Sequence, residues 1–170
     1  TNSGSKKTSS FSGAPLPETD SLVHGRDGAA PRNADHINGY NEFKSAEDVD
    51  VSLILGGDNN GTVIEHIIGN ICESRKDCVV CFSPERDDVV ANDSYSGKQA
   101  EDVVAFRDTL TSTSYAVMDA GWKYQYDKYN DKFRYVPLNG DIAGLCVRTD
   151  DTRDPWYSPA GYNRGIMKNV

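Results

Sequence analysis

Hydrophobic and polar positions fall along this chain in blocks whose period changes, and the periods predict its elements. Val49 to Leu55 is a short apolar run closed by Gly56-Gly57, which predicts a buried strand. After the turn Asp58-Asn59-Asn60-Gly61, the apolar residues Val63, Ile64, Ile67, Ile68, Ile71 and Cys72 recur at helical spacing. They predict a helix from about Thr62 to Ser74 with one broad apolar face. A second strand is predicted at Cys78 to Phe82, followed by a polar loop from Ser83 to Tyr95. Ser96-Gly97-Lys98-Gln99 has the Ser-x-x-Gln form of a capping box and introduces a helix with Val103, Phe106 and Leu110 as its buried stripe. A third strand at Ser114 to Met118 completes a β-α-β-α-β series, for which right-handed crossovers onto a mostly parallel sheet are expected.

From Trp122 the period drops to two. Trp122-Lys123-Tyr124-Gln125-Tyr126 and Lys132-Phe133-Arg134-Tyr135-Val136 predict an antiparallel hairpin around a turn at Asp127 to Asp131. Trp122, Tyr124 and Tyr126 share one face, read first as core and second as subunit contact, because Tyr and Trp are enriched in interfaces. Beyond Pro137 a short helix is predicted from about Gly140 to Val147, with Asn139 as its cap and Asp141 in the first turn, where the dipole favours an anion. Ile142, Leu145 and Cys146 form its buried face, and Ala143-Gly144 leaves a smooth patch. Arg148 and Asp150 are expected to leave the helix and brace a loop that Pro155 and Pro159 stiffen around Trp156 and Tyr157. The fold class expected is therefore α/β, a mostly parallel sheet with flanking helices plus an antiparallel hairpin and a short C-terminal-side helix.

Residues 1–40 are rich in Ser, Gly, Pro, Asn and Asp and carry Phe11, Leu16, Leu22 and Val23 singly, which predicts a loose loop or inter-domain segment. Residues 41–170 form the α/β domain. A chain without an initial Met that stops at Val170 is expected to be a fragment, incomplete at its C-terminal end.

Charge and motif spacing narrow the function classes. Eighteen basic and twenty-six acidic residues give a net charge of −8, with no Lys/Arg cluster, so nucleic acid is a disfavoured partner. Neither an apolar run long enough to span a membrane nor a signal-peptide pattern appears, and no membrane partner is expected. Cys78 and Cys81 form a C-x-x-C, but in a strand positions three apart face opposite sides, so the thiols diverge, and Cys72 has no paired His at finger spacing. Gly56 to Thr62 lies where phosphate loops lie, between strand and helix. It lacks Gly-Lys-Ser/Thr and places Asp58 in the anion position, which favours a glycine turn with Asn60 or Thr62 as helix cap. His24, His36 and His66 are scattered, with no His-Glu-x-x-His, and no Gly-x-Ser-x-Gly is present. Asp87-Asp88 and Asp150-Asp151 read as solvated surface. No catalytic, cofactor or metal site is expected, and the chain is not read as an enzyme.

Val136-Pro137, Gly140, Ala143-Gly144, Arg148-Thr149-Asp150, Trp156 and Ser158-Pro159-Ala160-Gly161 resemble, in order and spacing, the carboxy-proximal signature of contractile-phage tail sheath proteins. The run Gly161-Tyr162-Asn163-Arg164-Gly165 looks closest to the myovirus type. The resemblance is strongest from about residue 133 and extends back to about residue 41. It implies a virion subunit, assembled in the host cytoplasm, that joins copies of itself in stacked hexamer-type rings around a tail tube. Baseplate and tail terminator proteins are its further implied partners, and contraction of the rings drives the tube through the host envelope. Arg148, Asp150, Trp156, Tyr157, Pro159, Tyr162 and Arg164 are the candidate assembly or loop-bracing residues, with no cofactor. A nucleotide-binding α/β enzyme and a non-contractile virion module stand as the alternatives.

Overall fold

Three short strands lie side by side in the computed structural model, which describes residues 25, 28–90 and 98–167. They are β1 (Leu53–Leu55), β2 (Val79–Phe82) and β3 (Ala116–Met118), all parallel and in that order, with Ile54 opposite Val80 and Cys81 opposite Val117. Between β1 and β2 runs α2 (Gly61–Ile67), continuing through a π-helical turn (Ile68–Cys72) into α3 (Glu73–Arg75). Between β2 and β3 come a one-turn helix, α4 (Arg86–Val89), and α5 (Gln99–Asp108). An antiparallel hairpin of β4 (Trp122–Asp127) and β5 (Lys132–Pro137) and a long helix α6 (Asn139–Thr152) follow, so the α/β class with hairpin and C-terminal-side helix is the observed one.

The π turn has a cause in the sequence. The apolar pairs of α2 repeat every four residues, slightly more than the 3.6 of an α-helix, so a regular helix would rotate the later pairs away from the sheet. One turn of wider i→i+5 bonding takes up the excess. Val63, Ile64, Ile67, Ile68, Ile71 and Cys72 all remain buried, packed with Ile54, Val80 and Phe82 of the sheet, Phe106 of α5 and Leu110 just beyond it. Val103, the third member of the predicted α5 stripe, is only half-buried. Strand β2 is covered on both faces, because Val80 and Phe82 join that core while Cys81 lies near Cys146 of α6 on the other side.

Several expectations are corrected. The segment read as loose up to residue 40 ends in a helix, α1 (Asn33–Asn41), whose Ile37 and Tyr40 pack against the core, with the Tyr40 hydroxyl donating to Leu55 O at 2.8 Å. Two apolar contacts in nine residues leave too faint a period to detect. The predicted polar loop contains α4, and α6 continues past Val147, so Arg148-Thr149-Asp150 is helix rather than exit loop. The Thr149 hydroxyl is buried there and donates back to Leu145 O at 2.7 Å. Ser96 of the predicted capping box, His24, and the apolar residues Phe11, Leu16, Leu22 and Val23 lie outside the described residues. Contacts divide the chain into units Thr1–Ala30 and Pro31–Val170. Gly25 and residues 28–30 of the first are exposed, and all elements above belong to the second.

Candidate functional site

The carboxyl ends of parallel strands are where open α/β sheets receive ligands. In this molecule Asn139 fills that position. Ser83, just after β2, donates through Oγ to Asp119 Oδ2 at 2.7 Å and accepts from the Asn139 backbone N–H at 3.2 Å and side-chain Nδ2 at 3.1 Å. Nδ2 also donates to Gly57 O at 2.9 Å. Asn139 was expected to cap its helix, but the N-cap is Leu138, with no side-chain cap bond, and the Asn139 amide instead bolts α6 to the ends of β1 and β2. Burial raises the Asp119 carboxyl above its ordinary value, opposed by the bonds from Ser83 and from the Gly121 N–H.

The glycine loop after β1 is built for packing. A Cβ on Gly56 would sit 2.7 Å from Phe82 Cβ and 2.8 Å from Ile64 Cδ1, and Gly57 has φ +63. Asn60 caps α2, accepting from Val63 N–H at 3.3 Å. The Gly61 N–H, which a phosphate would need, donates to Glu85 Oε1 at 3.0 Å, so a carboxylate already satisfies this helix end. The C-x-x-C thiols diverge as the strand geometry required. Cys78 Sγ lies 3.9 Å from Cys72 Sγ, whereas Cys81 has Cys146 as its neighbour. Burial pushes Cys72 up to about 12 and Cys81 to about 11, and raises Cys78 as well, which keeps these thiols protonated and poorly nucleophilic. Among the described residues, no group of three or more His, Cys, Asp and Glu is placed to hold a metal, and no helix is long and apolar enough to cross a membrane.

What the molecule does present is surface. In the hairpin Tyr124 stands opposite Tyr135 and Tyr126 opposite Phe133, and the ring centroids of Tyr124 lie 5.1 Å from Phe133 and 4.7 Å from Tyr135. These four side chains are between 42% and 56% exposed, which corrects the core reading for Tyr124 and Tyr126. Trp122 is half-buried and donates from Nε1 to Pro84 O at 2.9 Å. With the Lys123–Asp141 ion pair at 2.8 Å and Leu138 N–H on Gly121 O at 3.2 Å, it holds the hairpin to the sheet and to α6. A fixed aromatic face therefore points outward.

The loop after α6 is closed by Arg164. Its Nη2 donates to Ala160 O at 2.8 Å, Nη1 reaches the Tyr157 hydroxyl at 3.4 Å, and the guanidinium lies 4.7 Å from the Tyr157 ring centre. Gly161, at φ +143, accepts at its carbonyl from the N–H groups of Arg164 and Gly165. Tyr157, Pro159 and Arg164 are thus gathered into one half-buried turn. Trp156 is 79% exposed and Tyr162 95%, so Trp156 is not the centre of a clamp. Arg148 and Asp150 are exposed on α6 and form no ion pair with each other.

No protein-family model matches the chain. The tail sheath protein of Enterobacteria phage T4 is 40% identical to it over 150 residues, covering 80% of this chain and 23% of that protein. The tail sheath protein of Vibrio phage KVP40 is 36% identical over 176 residues, covering 90% of this chain and 26% of its own length. This chain is a tail sheath homologue. The tail sheath protein of Salmonella phage ViI is 43% identical over 101 residues, 59% of this chain and 16% of that protein. The sheath homologue spans about a quarter of the length of the first two relatives.

Sequence reasoning missed one structural hub of the sheath homologue. Arg75, nearly inaccessible to solvent, grips Asp77 through both carboxylate oxygens at 2.8 and 2.9 Å and donates to the carbonyls of Phe43, Ser45 and Val49. It pins the segment leading into β1 against the end of α3. The Arg-x-Asp spacing was its visible trace.

Proposed function

We propose that this chain is the α/β portion of a contractile tail sheath subunit, with a structural rather than a catalytic role. Copies assemble as stacked rings around the tail tube, between baseplate and terminator, and shift to a shorter, wider arrangement that drives the tube through the host envelope. The observation that carries the reading is the similarity to three tail sheath proteins over as much as 90% of the chain. The molecule's physics supports it, since such a machine needs units that keep their fold while their contacts exchange between two arrangements. Helices cover both faces of β2, Asn139 locks the ligand-binding end of the sheet, and the aromatic residues left exposed lie on an anchored hairpin. Exposed apolar patches of that kind mark interaction surfaces. Electron microscopy of the full-length protein expressed alone tests the proposal. Tubes or stacked rings are expected, and persistent monomers stabilised by a nucleotide would overturn it in favour of an enzyme.

A further inference from the structure

The carboxyl end of α6 and the turn that returns over it enclose a cavity of about 400 Å³ lined by Arg148, Thr149, Thr152, Arg153, Asn163 and Arg164. Three arginines therefore line one space in a chain of net charge −8. Among the described residues Arg148 and Arg153 have no ion pair, although Asp150, Asp151 and Asp154 adjoin them in sequence. Arg164 uses its Nη groups within the turn, but its Nε is buried with no hydrogen-bond partner. Both threonine hydroxyls are committed to helix carbonyls. Guanidinium donors in excess of acceptors are the arrangement that carboxylates satisfy in forked pairs.

We propose that this cavity receives the acidic pair Asp87 and Asp88 of α4 from a second copy of the chain, an inference that rests on the self-assembly proposed above. Asp87 is exposed and Asp88 half-buried in the first turn of α4, and burial first, then Glu85, Asp102 and Asp87, raises the Asp88 carboxyl above its ordinary value. Arg86, in the same turn, lies over the Tyr135 ring at 5.7 Å. The chain cannot fill its own cavity with this pair. Asp87 and Asp88 come soon after Ser83, which is bonded to the first residue of α6, whereas Arg153 lies just past the last. A helix of 14 residues separates the two sites by about 20 Å at 1.5 Å per residue, more than the screening length of about 8 to 10 Å. A pocket at one end and its complement at the other make a head-to-tail contact, the type that closes rings or extends helical arrays.

Charge reversal in the full-length protein tests the contact, with self-association read by sedimentation velocity and folding by circular dichroism. Arg148→Glu with Arg153→Glu, and separately Asp87→Lys with Asp88→Lys, should each weaken association at least tenfold. Mixing the two variants should restore it, because every mixed contact again pairs opposite charges. Arg148→Gln with Arg153→Gln, which keeps side-chain size, should give a smaller loss in the same direction. Wild-type association in either reversed variant, or a mixture that fails to recover, would overturn the contact and leave the sheath reading standing. A wild-type protein that stays monomeric would overturn both.

Discussion

At the scale of single residues, the molecule depends on polar side chains that join distant parts of the chain. Asn139 reaches Ser83 and Gly57, 56 and 82 positions away, so no local pattern announces its role. Replacing it with Leu leaves Ser83 Oγ and the Gly57 carbonyl short of donors, and the unfolding free energy in urea should fall by about 1–3 kcal/mol. An unchanged midpoint would contradict the account of Asn139 as the bolt between α6 and the sheet. Asp119 sets a pH dependence. Its folded value lies above the ordinary Asp value of about 3.9, so in the window between the two the folded state holds more protons and stability declines as pH rises. Asp119→Asn should remove that decline, measured as the difference in thermal midpoint between variant and wild type across mildly acid pH. A difference that stays constant across the window would show that Asp119 does not titrate in this way.

At the scale of elements, the legible parts were those whose information is local. The paired apolar residues of α2, the runs at β1 to β3 and the alternation of the hairpin each write their own period, and each element formed at its run, although β1 takes only Leu53–Leu55 of the run from Val49 and β3 only Ala116–Met118 of the run from Ser114. The covering of a face is not local information. Tyr124 and Tyr126 alternate with polar residues as a core strand would, and only whether another element covers the face separates an outward one from an inward one. The same reasoning explains Trp156, whose flanking prolines suggested a clamp that Arg164 and Tyr157 make instead. The core of α2 should be intolerant, with Ile64→Ala costing about 2–5 kcal/mol in chemical denaturation. The hairpin should behave in the opposite way. Tyr124→Ser with Phe133→Ser should move the melting temperature little while impairing assembly seen by electron microscopy, and unimpaired assembly would show that this face is not a contact.

At the scale of the whole molecule, a fixed α/β frame carries surfaces suited to neighbours. The frame was largely readable in sequence, including the divergence of Cys78 and Cys81 and the Asn60 cap of the glycine loop. The surfaces were named by resemblance, and geometry then redistributed them. Tyr157, Pro159 and Arg164 hold a turn together, while Arg148, Asp150, Trp156 and Tyr162 remain outward. Outward residues acquire meaning only in an assembly, which one chain does not write. The most direct measurement is a cryo-electron-microscopy reconstruction of intact tails carrying this protein. This α/β unit should be the repeating element of the sheath, with the Tyr124–Phe133 face buried against a neighbouring subunit. A sheath built without this unit, or one that leaves that aromatic face bare to solvent, would contradict that expectation.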